Sequence, residues 1–397
     1  MTILNNDPML ENGEDFITWA LRCQAHSVTQ NVLNDAACHL PAQPGDFDAD
    51  PFLLNCQNGT LDLHTGKLQP HRPADLLTKM TNVSFDEGAQ CLRWDRFLME
   101  IFLGDVELIR FVQRGMGYSL TGDVSEQVFF LLYGTGANGK STLTGLVEKM
   151  LGDYAMTAAP GLLVAKKNEA HPTELADLFR SRFVATSEVK TDARWDEERI
   201  KQLTGGDKIK ARRMRENFWS FEPTHKIWLS TNHRPATADS THAFWRRVKM
   251  IPFNATFQGE QRDNTLLATL MAEAPGILAW IVRGCLDWQN NGLGSAAAVE
   301  VATNTYRRLS DEIQVFIDES CTRTTTGRVR AGILYSAYVH FCEQRHERVQ
   351  SQTIFGSRIR DLGFEVKQSG GMHYLGLELN QTTDPDPDQW LYDIPEV

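Results

Sequence analysis

The sequence predicts an α/β protein: a core of alternating strands and helices around a largely parallel sheet, set between a small α+β unit and a separate C-terminal module. Three observations predict it. The apolar run VFFLLYG leads directly into a glycine-rich loop and a helix-compatible stretch. Strand-like and helix-like segments then alternate as far as Phe253, as expected when helical crossovers join parallel strands. In the last hundred residues the order becomes helix, helix, hairpin.

Length and composition set the limits. At 397 residues the chain is too long for one compact core. Hydrophobic residues at 42% and charged residues at 23% exclude wholesale disorder. No apolar run reaches the ~18–20 residues of a membrane span, and MTILNNDPMLENGEDF has no basic segment followed by an apolar core. A cytoplasmic protein with no membrane partner is expected. The seven scattered cysteines have neither zinc-knuckle spacing nor the look of a disulfide framework.

In chain order, residues 1–95 are expected to form the α+β unit, a collar or docking domain. FITWALRCQAHSVTQNVL has helical spacing, whereas FLLN, NGTLDL and TGKLQPHR read as short strands around Asn58-Gly59 and Thr65-Gly66 turns. Residues 96–125 continue a helical pattern and are assigned to a linker or oligomerisation segment. The core is expected over 126–295, ending in the helical stretch TLLATLMAEAPGILAWIVRGCLDWQ. In 296–397, YSAYVHFCEQR and SQTIFGSRIRDLGF read as helices, and FEVKQ and HYLGLEL as a hairpin across Gly370-Gly371. That order fits a winged-helix-like domain.

The chemistry starts at Gly134-Thr-Gly-Ala-Asn-Gly139-Lys140-Ser141, which fits G-x-x-x-x-G-K-[ST] between a buried-strand run and a helix. Glycines let the backbone N–H groups curl toward phosphates at a helix N-terminus. Gly134, Gly136, Asn138, Gly139, Lys140, Ser141 and Thr142 are therefore the candidate ATP contacts. Lys140 would reach the β- and γ-phosphates, and the Ser141 hydroxyl would bind Mg²⁺. FVATSE ends a strand in Glu188, a candidate to polarise water and help hold the metal. Its neighbour Ser187 stands where a second acid is usual, and a strand-end glutamate is also an ordinary surface residue. KIWLSTN ends in Asn232, placed either to bond the γ-phosphate or the attacking water, or simply to make a turn before Pro235. Arg246 and Arg247 are candidates for an arginine inserted at a γ-phosphate from a neighbouring molecule; a solvated pair is the alternative.

The net charge of −11 argues weakly against nucleic acid, because affinity depends on where the positive charge sits. Between Lys201 and Arg215 six cations face only Asp207. Lys208, Lys210, Arg212, Arg213 and Arg215 are the candidate DNA contacts, on a hairpin returning through FWSF. For Phe218 and Trp219, core packing is weighed above base stacking. In the C-terminal module Arg358, Arg360, Lys367 and His373 form a less basic second candidate. A small-molecule kinase shares the phosphate loop but has no use for the basic run or the trailing module.

Taken together, Gly134–Ser141, Glu188, TGGDKIKAR, WLSTNHRP and AFWRRVKMIPF resemble the helicase half of phage and plasmid primase-helicases, related to the poxvirus primase-helicase. The likeness runs from NGTLDLHTGKLQPHR and GYSLTG to the C-terminal module. It implies an AAA+ ATPase of superfamily 3 forming a hexamer, with Asn232 as sensor, Arg246 or Arg247 as finger and 207–221 as channel hairpin. It also implies 3′ to 5′ movement on single-stranded or forked DNA in the replication of a mobile element, in a bacterial host cytoplasm. About fifty residues precede PFLLN, too few for a polymerase-like domain, so a separate primase or host replication proteins would supply primers. An origin-binding or interference protein with little unwinding is the alternative.

Overall fold

The computed structural model describes residues 13–39, 43, 45–165, 173–187, 193–237, 242–259, 263–345 and 349–380. The chain divides into two compact units, residues 1–49 with 72–78, and residues 50–71 with 79–397. The first unit contains helices α1 (Gly13–Cys23) and α2 (His26–His39).

The second unit opens with an antiparallel meander of β1 (Leu53–Cys56), β2 (Gly59–Asp62) and β3 (Lys67–Gln69). The turns expected at Asn58-Gly59 and Thr65-Gly66 connect these strands. The meander, grouped by sequence with the first ninety-five residues, packs instead in this second unit. Leu54, Cys56, Leu61 and Leu63 are fully buried in the cluster that contains Trp94 and Trp280. Helices α3 (Leu92–Ile101) and α4 (Val106–Leu120) follow. The Asp105 carboxylate starts α4 by accepting from Leu108 N, which satisfies one of the free amides of the first turn.

The central layer runs through β4 (Phe129–Tyr133), α5 (Lys140–Leu151), β5 (Ala155–Thr157), α6 (Thr173–Ala176), β6 (Phe183–Ser187) and α7 (Glu197–Thr204). It continues through β7 (Ile209–Ala211), β8 (Trp219–Phe221), β9 (Lys226–Thr231), α8 (His242–Trp245) and β10 (Val248–Pro252). Five strands form one parallel sheet in the order β10-β4-β9-β6-β5. β9 is buried along its whole length and β4 along all but its last residue; FFLLY and the Ile227–Leu229 centre of β9 read as apolar for that reason, while Lys226, Ser230 and Thr231 are polar residues buried at the strand ends. β7 and β8 pair only with each other, as a separate antiparallel hairpin.

The stretch after the sheet, expected as one helical run, is two helices: α9 (Leu266–Ala272) and α10 (Ala274–Asn291), bent by 75°. Pro275 lies in the first turn of α10, where its missing N–H costs nothing but where it cannot continue α9. Among the described residues no single helix is long and apolar enough to cross a membrane. α10 crosses α4 at very short range. A Cβ on Gly117 would lie 2.1 Å from Cys285 N, and one on Gly284 would lie 2.2 Å from Gln113 O. Only glycine fits at either position.

The chain ends in α11 (Ala297–Leu309), α12 (Glu312–Ser320), β11 (Cys321–Arg330), α13 (Ala331–Arg345), α14 (Gln352–Asp361), β12 (Val366–Gln368) and β13 (Met372–Leu379). The two helices and the hairpin stand where the sequence puts them. β11 was not foreseen: CTRTTTGRVR alternates polar residues, and its pairing with β13 fixes it as a strand. The order of the three-stranded sheet is β11-β13-β12, over a separate core of Phe316, Tyr338, Phe355 and Leu377.

Candidate nucleotide site and nucleic-acid interface

The site begins where β4 ends. Gly134 follows Tyr133, and its N–H donates to Thr231 O at the end of β9 (3.3 Å), which ties the loop to the neighbouring strand. A Cβ on Gly134 would lie 2.2 Å from Asn138 Nδ2 and 2.5 Å from Phe253 O. Gly136 and Gly139 have φ of +110° and +90°, a region that favours glycine. The loop thus curls back and delivers Lys140 as the first residue of α5.

Lys140 is buried, and its Nζ donates to Gly134 O (2.7 Å), Asn138 Oδ1 (3.1 Å) and Asn232 Oδ1 (3.0 Å). Burial lowers its pKa below the usual lysine value. A cavity of about 250 Å³ opens beside it, lined by the loop from Gly136 to Thr142, by Ser187, and by Ser230, Thr231 and Asn232. It lies beyond the carboxyl ends of β4, β6 and β9, where open parallel sheets hold ligands. The structure brings together all seven expected loop residues and Asn232: Gly134 accepts from the Lys140 ammonium, and the others line the cavity.

Glu188 lies outside the described residues. Ser187, the residue before it, lines the cavity and is in register with Ser230. Arg246 and Arg247 are not brought to this site. They precede β10, whose Val248 pairs with Phe129 at the start of β4, so they stand at the opposite edge of the sheet, about 16 Å away along five residues of strand. Arg246 is exposed, with Nη2 donating to Gln127 Oε1 (2.6 Å). Arg247 is half-buried and donates from Nε to Thr204 Oγ1 (3.2 Å). Burial, then the charge of Arg246, lowers its pKa.

Two residues beside the loop escaped the sequence reading. The Arg234 guanidinium lies 4.5 Å from the Tyr133 ring centroid, stacking the segment after Asn232 on the strand end that launches the loop. The Tyr306 hydroxyl, on α11, donates to Pro235 O and accepts from Trp195 Nε1 (2.7 Å), fixing that segment from behind. Both links join residues far apart in the chain, and no local pattern marks them.

The basic hairpin forms as β7 and β8. Lys208, Lys210, Arg213 and Arg215 are exposed and Arg212 is half-buried. Lys208 makes a 3.7 Å ion pair with Glu222 at the hairpin base. Trp219 packs on Phe179 and Phe221, as expected of a core residue. Phe218 differs. It is 50% exposed, with Lys210 and Arg212 at 5.0 and 4.9 Å from its ring centroid. Its backbone lies beyond the paired part of the hairpin, where no core reaches it. In the C-terminal module Arg358 is committed to a paired contact with Asp311, at 2.6–2.7 Å.

Among the described residues no cluster of His, Cys, Asp or Glu forms a metal site by itself.

Residues 6–103 match the family described as D5 N terminal like, and residues 132–247 match a family of unknown function, DUF5906. The chain is similar to a candidate helicase of Acanthamoeba polyphaga mimivirus, 26% identical over 300 residues and covering 70% of this chain and 31% of that protein. A candidate helicase of Frog virus 3 is 24% identical over 401 residues, covering 78% and 41%. A candidate primase of African swine fever virus is 22% identical, covering 51% and 22%. The chain thus spans less than half of the length of these relatives. Among solved structures, an apo form of the NrS-1 C-terminal region superposes with a TM-score of 0.50 at 12% identity, covering 89% of this chain and 91% of that one.

Proposed function

We propose that this chain, which is similar to candidate helicases and a candidate primase of large DNA viruses and matches a D5 N-terminal-like family ahead of its glycine-rich loop, is an ATP-dependent DNA helicase of superfamily 3. In this reading it has an AAA+ core, assembles as a hexameric ring, moves along one strand of single-stranded or forked DNA, and serves replication of a phage, plasmid or other mobile element. The observation that carries the reading is the Lys140 ammonium, held at the loop mouth by oxygens of Gly134, Asn138 and Asn232.

The groups fit ATP and Mg²⁺ chemically. Lys140 is a cation whose three acceptors can be exchanged for phosphate oxygens, and a helix N-terminus faces the same space. Bound ATP would supply the phosphoryl group transferred to water. The loop amides and Lys140 hold the phosphates, while Ser141, with Glu188, holds the metal. Asn232, released from Lys140, orients the water or the γ-phosphate. The exposed Arg246, or its neighbour Arg247, reaches the site of an adjacent copy and stabilises charge as it develops. Lys208, Lys210, Arg212, Arg213 and Arg215 grip the DNA strand inside the ring, and the C-terminal module adopts a winged-helix-like fold.

The test is ATP hydrolysis by the full chain with and without single-stranded DNA, beside Lys140→Ala. Strong stimulation that disappears in the variant supports the helicase. Hydrolysis indifferent to DNA supports the alternative, an ATP-regulated origin-binding or interference protein.

A further inference from the structure

The hairpin β7–β8 presents one side chain that neither core packing nor a grip on phosphates explains. Its pairs are Ile209–Phe221, Lys210–Ser220 and Ala211–Trp219. Opposed residues in antiparallel strands share a side, and successive residues alternate between sides. Ile209, Ala211 and Phe221 are buried and Trp219 packs on Phe179, so their side faces the core. The other side carries Lys208, Lys210 and Arg212 from one strand, and Phe218, Ser220 and Glu222 from the other. The contacts follow that order. Lys208 meets Glu222 at the base, while Lys210 and Arg212 reach Phe218 at the outer end.

Phe218 is therefore an aromatic ring on the solvent side of the hairpin, half exposed, and the cations over it are uncommitted. Among the described residues neither Lys210 nor Arg212 is in an ion pair, and Arg212 Nε is buried without a hydrogen-bond partner. The turn beyond adds Arg213 and Arg215 against one acid, Glu216. Two residues of strand separate Lys210 from Arg212 by about 6.7 Å. Ring and cations together thus match one nucleotide, with a flat face for the base and positive groups for the phosphates on either side of it. An exposed cation–ring contact is weak, and a base stacked on the same ring gains more. A cation displaced by the base is then free to pair with phosphate.

We propose that Phe218 stacks on a base of the bound strand, with Lys210 and Arg212 on the flanking phosphates, and that this contact makes the hairpin select single strands over duplex. Cations alone do not make that selection, because both forms carry phosphates. A base inside a duplex is covered on both faces by its neighbours and shows only its edges in the grooves. A free face exists only on a single strand, and every base has one, so the contact is indifferent to sequence. The inference rests on the reading of the hairpin as the DNA contact, and adds to it the residue that tells one strand from two.

The experiment is fluorescence anisotropy of the full chain with three labelled DNAs at one salt concentration: an oligodeoxythymidylate, an abasic strand of the same length and charge, and a duplex. The wild-type chain is expected to bind the abasic strand at least about fivefold more weakly than the thymidylate. Phe218→Ala should weaken thymidylate binding by a similar factor, bind both strands alike and keep its affinity for duplex. Phe218→Trp should retain the preference for the strand with bases. The comparison of the two strands needs only the wild-type chain, so it carries the test if Phe218→Ala melts early. Equal binding of both strands by the wild type would overturn the proposal. So would a Phe218→Ala variant that still discriminates between them, or one that loses as much affinity for duplex as for thymidylate. In those three cases DNA binding itself persists, and the hairpin reading stands without Phe218. A chain that binds none of the three DNAs overturns both.

Discussion

Lys140 is connected to its site by three hydrogen bonds, and each predicts a different variant. Lys140→Ala removes the only side-chain cation within the described part of the loop, and should lower ATP hydrolysis by about 10²-fold or more with little change in melting temperature. Asn232→Ala leaves the ammonium with two acceptors, and should reduce kcat by about 10²-fold with a smaller effect on KM, measured in steady-state kinetics. A KM effect alone would place Asn232 in binding rather than chemistry. His225 supplies a pH prediction. It is fully buried, and burial, then the Lys226 charge, holds its pKa at about 4 against 6.5 unfolded. The unfolded chain takes up that proton first, so stability should fall on acidification from pH 6.5 and level off below pH 4, by roughly 3 kcal/mol in all. His225→Phe should remove that slope from urea titrations run across the window.

At this scale the sequence was informative where chemistry is local. G-x-x-x-x-G-K-[ST] names its own residues, and Asn232 follows from its position at a strand end. Arg234 and Tyr306 were not legible, because stacking on Tyr133 and bonding to Pro235 depend on segments that only the folded chain juxtaposes. Phe218 was weighed as a core residue because aromatic side chains usually are. It lies one residue before β8, outside the outermost pair Ala211–Trp219, where the hairpin has no core beneath it.

At the scale of elements, the α4–α10 crossing and the β7–β8 hairpin carry opposite expectations. Gly284→Ala places a Cβ 2.2 Å from Gln113 O, so two backbones must move apart. The cost should be at least about 1–3 kcal/mol, read as a lowered urea midpoint. The hairpin is exposed and tolerant. Replacing Lys210, Arg212, Arg213 and Arg215 by alanine should leave the melting temperature within a few degrees and weaken binding to single-stranded DNA. The salt slope should become shallower by about 0.7 for each phosphate released. Patterning revealed both elements, as an apolar helix and as a basic alternating run. It did not reveal β11, whose polar sequence has strand character only because β13 pairs with it.

For the whole molecule, Arg246 and Arg247 stand at the sheet edge opposite Lys140, so one chain cannot complete its own site with them. Neither Arg246→Ala nor Lys140→Ala should hydrolyse ATP efficiently alone. Mixed together they should recover activity, because an intact loop on one copy can meet an intact arginine on the next. Absence of recovery in mixtures shown to co-assemble would remove Arg246 from the finger role. The sequence indicated this split only as two motifs a hundred residues apart; the parallel register of β4 and β10 assigns them to opposite ends. Where the chain divides was less legible. Turn dipeptides located the meander, but its burial among Trp94 and Trp280 and its hydrogen bonds to Tyr154, Arg182 and Gln289, which join it to the second unit, are not written in its own sequence.

Arg182 and Lys226 are both buried, one just before β6 and the other at the start of β9. Arg182 Nη1 donates to Leu120 O (2.7 Å) and Nη2 to Leu53 O (2.9 Å), while Lys226 Nζ donates to Thr121 O, Asp123 O (3.1 Å) and Thr224 O (2.9 Å). These hydrogen bonds fasten the foot of β6 to the end of α4 and to β1, and the foot of β9 to the segment that follows α4, near its negative dipole end. The far ends of the same strands, at Ser187 and Asn232, border the nucleotide cavity. Anchored in this way, the two strands cannot slide lengthwise past their neighbours, so the height of Ser187 and Asn232 at the cavity rim is set from the opposite end of the sheet.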